Sequence, residues 1–509
     1  MNRSLSKRGA LAAVCAVLFL TFLDNTIVGV ALADMQTSLR AGVPALQWIV
    51  DGYMLAFAAL MLTGGTLGDL LGRKKVMLAG IVLFAGGSLF GALSTTSSAL
   101  IVARVVMGVG AAACEPGTLS LIRHIYPDRG ERARALGVWT AVSGVSLALG
   151  PVLGGVLVAA GGWENIFWFN VAFGLAVLAA AWWFVPESSD PQGRQLDVFG
   201  LAFGAAAVVG VTFAVIEGEN VGYGHWWIPL LFVVSALAAI AFVAVERRVR
   251  DPVLQLDFFR IGTFTGATAV GFATSFGLFA VFFFSALYLQ VVANFSGWRI
   301  ALEFLAMTLA MVVAGRVAGI WVAARGPRGP MVWGCVLAGG AIFGVARLLD
   351  PHPSFGGLAA VLAVVGFGLG LALVAVSAAV LSVVPPERSG MAASTLNTSR
   401  QLGGVLAVAI LGAIVNGRLI AELEHKLDVL GVPRALHSLV IDAVTHGGVP
   451  ANAAEAAQSN PLIAANLGLV ARVLSAAESA FGHGLHVALV VAASVLLAGA
   501  AVAASTVER

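Results

Sequence analysis

Charge is scarce in this sequence. Only 11% of its 509 residues are Asp, Glu, Lys or Arg, against about 25% in ordinary soluble domains. A water-soluble fold of this length needs far more charge on its surface. Lysine is rarest of all: Lys7, Lys74, Lys75 and Lys426 are the only four. None stands in a G-x-x-x-x-G-K-[ST] loop, which excludes the usual nucleotide-phosphate cradle of a primary pump. The H-E-x-x-H zinc motif and the G-x-S-x-G nucleophile elbow are missing too, which argues against an enzyme. Cys15, Cys114 and Cys335 all lie inside apolar runs. They read as small apolar fillers, with neither metal-ligand spacing nor a disulfide framework. A net charge of +3 gives no field suited to nucleic acid.

What fills the chain instead is hydrophobic sequence, 59% of all residues. A helix needs about 20 apolar residues to cross the hydrocarbon core. Fourteen runs qualify: 10–34, 46–68, 76–95, 99–122, 134–159, 166–185, 198–216, 227–246, 264–290, 301–323, 331–349, 357–381, 392–417 and 484–503. In lipid each backbone polar group must be satisfied within its own segment or in a closed barrel, so the fold predicted is an all-α integral membrane protein. The first run follows Arg3, Lys7 and Arg8 and resembles a signal peptide, but it is too long and reads as a retained spanning helix. Most Lys and Arg fall in alternate loops beginning with the N-terminal segment, while the intervening short loops hold only Arg40, Arg299 and Arg347. This bias places both termini in the cytoplasm of a multi-pass cell-membrane protein. Segment 418–483 is predicted outside the membrane, with Leu419, Ile420, Leu423, Leu427 and Leu430 spaced as in short amphipathic helices.

Ionisable residues inside spanning helices are costly and mark functional candidates. Asp24 lies mid-helix 1 and Arg104 in the outer half of helix 4, at similar depth, so a pairing is open to them. Glu115 stands deeper in helix 4, just before Pro116. Asp51 and Glu303 stand near outer helix ends, where their carboxylates could reach the interface. Arg316 and Arg400 stand toward cytoplasmic ends, where long side chains snorkel. A carboxylate whose surroundings change between two states can load and release a proton, so Asp24, Arg104, Glu115, Asp51 and Glu303 are the candidates for proton coupling and substrate contact.

The most specific local feature is the loop between helices 2 and 3, with Gly65, Gly68, Asp69, Gly72, Arg73, Lys74 and Lys75. Its glycines allow a tight turn, and Asp69 is placed to accept from the N-terminus of the next helix or an Arg across the bundle, forming a conformational latch. A weaker echo, Gly315 and Gly319 followed by Arg325-Gly326-Pro327-Arg328, suggests two related halves. In helix 5, Gly150, Pro151, Gly154 and Gly155 combine a helix breaker with a small-residue face.

Together these stretches resemble the major facilitator superfamily. The loop at 65–75 is similar to its signature between helices 2 and 3. Ile101-Val102-Ala103-Arg104 with Gly108 and Gly110 resembles its helix-4 motif, and the Gly150–Gly155 stretch its antiporter helix-5 motif. Leu23-Asp24-Asn25-Thr26-Ile27-Val28 and Gln47-Trp48-Ile49-Val50-Asp51-Gly52-Tyr53 resemble the fourteen-helix drug:proton antiporters of the EmrB/QacA type. Gly29, Ala33, Leu70, Ser146 and Glu115 depart from those patterns.

The resemblance implies a major facilitator fold: a six-helix bundle at 1–190, two inserted helices at 191–260, and a second six-helix bundle at 261–509 that includes the extracytoplasmic segment 418–483. It further implies alternating access, with proton-coupled export of lipophilic, often cationic compounds. A specific secondary metabolite, amphiphile or lipid is the alternative cargo, and a membrane-embedded enzyme the remote one. No metal, cofactor or nucleic acid is expected. The partners expected are protons, membrane lipid and one small lipophilic substrate, bound by a monomer.

Overall fold

The computed structural model describes residues 3–508 apart from 42, 190–196, 250–251, 253, 294, 296, 350–354, 431, 433–436, 438–439 and 442–466. Among these residues there is no strand, and every long apolar run is a helix. In order they are α1 (Arg3–Ile27), α2 (Val43–Leu71), α3 (Arg73–Ala92), α4 (Ser97–Ile125), α5 (Arg129–Gly161), α6 (Glu164–Phe184) and α7 (Val198–Val221). Then follow α8 (Trp227–Glu246), α9 (starting at Gly262–Phe279), α10 (Gly297–Arg325), α11 (Arg328–Leu348), α12 (Phe355–Ser382), α13 (Ser389–Val429) and α14 (Leu467–Thr506). Among the described residues thirteen helices are long and apolar enough to cross a membrane, or 14 when α5, bent by 44°, counts as one. These are the fourteen spans predicted. Helix α9 runs on through a π-helical turn, Ala280–Ser285, into Ala286–Val291, which hydropathy could not show.

The boundaries have local causes. Thr96 caps α4 by accepting from the Ala99 amide (3.3 Å), Asp128 caps α5 through the Glu131 amide (2.8 Å), and Asp197 caps α7 through the Gly200 amide (2.8 Å). Gly72, at φ 111°, makes the turn between α2 and α3. A side chain there is strained by the backbone and would collide with the Glu187 carboxyl at 2.9 Å.

Helix α1 packs on α5 and α6, α2 on α4, and α3 on α4 and α6. In the second half α9 packs on α13 and α14, α10 on α12, and α11 on α12 and α14. The halves meet along α5 with α10 and α2 with α13. Helix α7 rests on α2 and α13 beside that seam, and α8 packs on α7. Glycines permit the close crossings: a Cβ on Gly137 would lie 2.4 Å from the Gly315 carbonyl, and one on Gly319 2.8 Å from the Ala133 carbonyl.

Segment 418–483 differs from expectation. Its first part is no separate short helix but the unbroken end of α13, which at 41 residues is about 60 Å long, twice the hydrocarbon thickness. The start of α14, itself 40 residues, returns alongside it. Leu423 and Leu427 pack with Ala476 and Ala477, and Lys426 reaches Ser479 (2.7 Å) and Glu422 (3.0 Å). The predicted spacing therefore marks the buried stripe of a two-helix stalk. Residues 442–466 of the segment lie outside those described.

Candidate transport site

Asp24 on α1 and Arg104 on α4 form a direct ion pair, Oδ2 to Nη1, with relative exposures of 0% and 1%. Three more groups hold it. Asn170 on α6 donates from Nδ2 to Asp24 Oδ1 (2.7 Å), Arg104 Nε donates to the Ile49 carbonyl of α2 (2.9 Å), and the guanidinium lies 4.4 Å from the centre of the Tyr53 ring. Tyr53 is itself fixed by donating its hydroxyl to the Thr21 carbonyl (3.1 Å). Four helices thus converge on one water-excluded pair. Gly108, one turn beyond Arg104, lets α4 approach α2: a Cβ there would sit 2.5 Å from the Tyr53 carbonyl. Asn170 was missed from sequence, although a lone amide inside the apolar run of α6 was the available signal.

Glu115 lies eleven residues past Arg104, which is three helical turns, so both stand on one face of α4 about 16 Å apart along its axis. It is buried and within electrostatic reach of Arg400 on α13, in the other half. Arg400 does not snorkel as its position suggested. Its Nη2 donates inward to Ser377 Oγ (2.9 Å) and the Leu373 carbonyl (3.2 Å) of α12. Arg316 by contrast is exposed on α10.

Asp51 is half-buried on α2, with Glu217 of α7 as its electrostatic neighbour. Glu303 was expected to reach the interface, but it is fully buried, and neither carboxylate oxygen finds a partner among the described residues. The adjacent Phe304 packs on Phe282 of the π-helical turn, 4.7 Å between ring centres, which turns this stretch of α10 inward. No ion pair or hydrogen bond among the described residues joins Asp51 or Glu303 to the Asp24 cluster.

The predicted latch residues assemble at one end of the seam. Arg73 clasps Asp69 through Nε (2.9 Å) and Nη2 (2.7 Å), and both side chains are buried. Asp69 also accepts the backbone N–H groups of Gly390 (3.1 Å) and Met391 (2.9 Å), buried first-turn donors that α13 itself cannot satisfy. Arg73 Nη2 continues to the Glu387 carbonyl (3.2 Å), and Arg123 of α4 donates to the Val384 carbonyl. Gly65 permits the crossing, since a Cβ there would lie 2.5 Å from Ser394. Gly68 supplies the carbonyl for Gly72 (3.2 Å), and Lys74 reaches the Trp182 carbonyl (2.7 Å). The two halves are therefore locked together at this face. The start of α1 and the end of α14 lie there too: Lys7 pairs with Glu131 (2.9 Å), and Arg328 donates to the Ala504 carbonyl near the end of α14.

In the helix-5 motif, Gly150 and Gly154 face α1, where added Cβ atoms would lie 1.9 Å from Thr26 Oγ1 and 2.7 Å from the Ile27 carbonyl. Gly155 faces open space. Among the described residues no group of three or more His, Cys, Asp or Glu side chains gathers as a metal site.

The profile of the Major Facilitator Superfamily matches residues 14–408. The chain belongs to that superfamily. It is 32% identical over 412 residues to multidrug resistance protein Stp of Mycobacterium tuberculosis, covering 81% of this chain and 76% of that one. It is 30% identical over 500 residues to the tetracenomycin C resistance and export protein of Streptomyces glaucescens, covering 97% and 91%. Among solved structures, that of the human organic anion transporter MFSD10 is similar in fold, with a TM-score of 0.61 at 15% identity over 98% of this chain and 99% of that one. The chain is thus a multi-span membrane transporter of small molecules.

Proposed function

We propose that this superfamily member is a proton-coupled antiporter that exports lipophilic small molecules across the cell membrane by alternating access. The observation that carries the reading is the Asp24–Arg104 ion pair, fully buried within spanning helices and shared by α1, α2, α4 and α6. An ion pair that only stabilised the bundle would be a poor choice, because hydrophobic residues of similar volume usually do as well or better. A proton on Asp24 removes the charge that Arg104 balances and releases the guanidinium to other partners. The cycle follows from this: protonation loosens the contacts among the four helices, and deprotonation restores them. Resistance and export are what the relatives' names record, and drug-like cargo is carried over from them.

The latch face, with the start of α1, the end of α14 and the basic loops, is assigned to the cytoplasm by the excess of Arg and Lys there. The stalk of α13 and α14 then projects outside. The driving force is the proton gradient without a cofactor, and the chain works as a transporter monomer, not as an enzyme. The test is reconstitution in liposomes with a pH-sensitive dye, an imposed pH gradient and a panel of lipophilic cations and neutral amphiphiles. Substrate-dependent proton flux that vanishes in Asp24→Asn supports the reading. Substrate movement without proton flux, unchanged in the variant, overturns the coupling.

A further inference from the structure

The seam between the halves contains a second polar cluster, separate from the Asp24 pair. Glu115 enters it from α4 and Arg400 from α13, with exposures of 3% and 8%. They sense each other electrostatically, yet no hydrogen bond or ion pair among the described residues joins them. The two terminal nitrogens of Arg400 are engaged by its own half. Nη2 donates to Ser377 Oγ and the Leu373 carbonyl, and Nη1 to Asn397 Oδ1 (3.5 Å).

Three buried atoms are left over. Glu115 Oε2, Arg400 Nε and Asn397 Nδ2 find no partner among the described residues. One is an acceptor carrying charge, and two are donors. Buried polar atoms without partners are rare in folded chains and costly, so each requires an explanation. Trp139 connects them. Its ring centre lies 5.8 Å from the Arg400 guanidinium, and its Nε1 donates to Thr118 Oγ1 (3.1 Å), which donates in turn to the Glu115 carbonyl (2.6 Å). The ring is thereby held against the turn of α4 that carries Glu115, and it lines the buried cluster beside the Arg400 guanidinium.

We propose that Glu115, Asn397 and Arg400 form a substrate subsite for a planar aromatic molecule bearing a donor and an acceptor on one edge, of the carboxamide type. This rests on the exporter reading and names a class of cargo within it. An N–H of such an edge meets Glu115, while its carbonyl oxygen accepts from Arg400 Nε and Asn397 Nδ2. The opposite charges of Glu115 and Arg400 cancel, so a permanent cation gains little here. An onium group has no N–H to give the carboxylate and no acceptor for the two donors. Selectivity then lies in hydrogen bonding, where a buried polar site rejects an analogue that leaves its groups unpaired.

The test compares two probes of nearly equal shape, 2-naphthamide and methyl 2-naphthoate, by calorimetry on the purified protein in lipid nanodiscs. The amide should bind at least tenfold tighter than the ester, which lacks the donor. In Glu115→Leu and, independently, Asn397→Leu, the ratio should fall toward one while the thermal midpoint shows that the variant is folded. Equal binding of both probes by the parent protein overturns the subsite, whatever the variants do. Retention of the preference in the folded variants overturns it as well. Proton-coupled export is measured separately with the liposome panel. Its failure with the amide preference intact would remove the exporter reading and leave a binding site.

Discussion

Thr26 of α1 donates its hydroxyl to the carbonyl of Leu147 in α5 at 3.1 Å. In an unbroken helix that carbonyl would accept from residue 151, but residue 151 is proline and has no N–H. The neighbouring helix repairs the gap at the point where α5 bends, two residues along α1 from Asp24. The proline, the glycines beside it and the threonine form one device that ties the bend of α5 to the helix carrying the ion pair.

Gly150→Ala should destabilise the protein by about 1–3 kcal/mol through overpacking, since the new Cβ falls 1.9 Å from Thr26 Oγ1. Thr26→Ala alone should cost about 1 kcal/mol for the lost hydrogen bond. The double variant should be less unstable than the sum of the two, because the worst clash goes with the hydroxyl while the milder ones, to the residue-26 Cβ at 2.8 Å and the Ile27 nitrogen at 3.0 Å, remain. Thermal denaturation of all four proteins in the same detergent measures the coupling.

Arg104→Ala leaves Asp24 buried beside Asn170 without its counter-charge. Removing one member of a buried pair costs about 3–5 kcal/mol. The variant should unfold at a clearly lower temperature and lose substrate-driven proton flux, and pairing it with Asp24→Asn should recover stability but not flux. Recovery of flux in the double variant would contradict the coupling role.

Asp69→Asn keeps the shape of the latch and removes its charge from the start of α13. A carboxylate at a partly buried helix N-terminus is worth up to about 2 kcal/mol, or roughly a thirtyfold change in population. Spin labels at Lys75 and Glu387, across the closed face, should therefore show a longer-distance population that the parent lacks. Gly390→Ala should act in the same direction, because its Cβ would fall 2.2 Å from the Asp69 carboxylate.

Asp128 supplies a pH test away from the membrane. Accepting from the Glu131 amide holds its carboxyl below the usual aspartate range. A depressed folded-state value means that its contribution is complete above the unfolded value of about 3.9 and is lost as pH falls through the folded one. The gap in thermal midpoint between the parent and Asp128→Ala should be full at neutral pH and close only in that acid range.

The spans were legible in the sequence because lipid leaves few alternatives for an apolar run, and the same cost argument flagged Asp24 and Arg104 as out of place. The partners were less visible. Depth along a helix can be counted, but the direction in which a long side chain turns cannot. Arg400 could snorkel outward or reach inward, and only the acceptors on α12, Ser377 and Leu373, decide for the latter. Glu303 misled for the same reason, since its position near a helix end says nothing of the Phe282–Phe304 packing beside it. The sequence places Asp69 to accept from the N-terminus of the next helix or from an Arg across the bundle. In the structure the helix start comes from the other half, and the Arg from the adjoining turn.

Helix α13 begins on the Asp69 carboxylate and runs without a break to Val429, beyond the opposite end of the bundle. It is thus a lever with its fulcrum at the latch. Over its length of about 60 Å, a tilt of some 10° at Ser389 moves the far tip by about 10 Å. The stalk swings through the largest arc of the helix and makes a natural pointer, so a label near Val429 would report the state of a contact on the other side of the membrane.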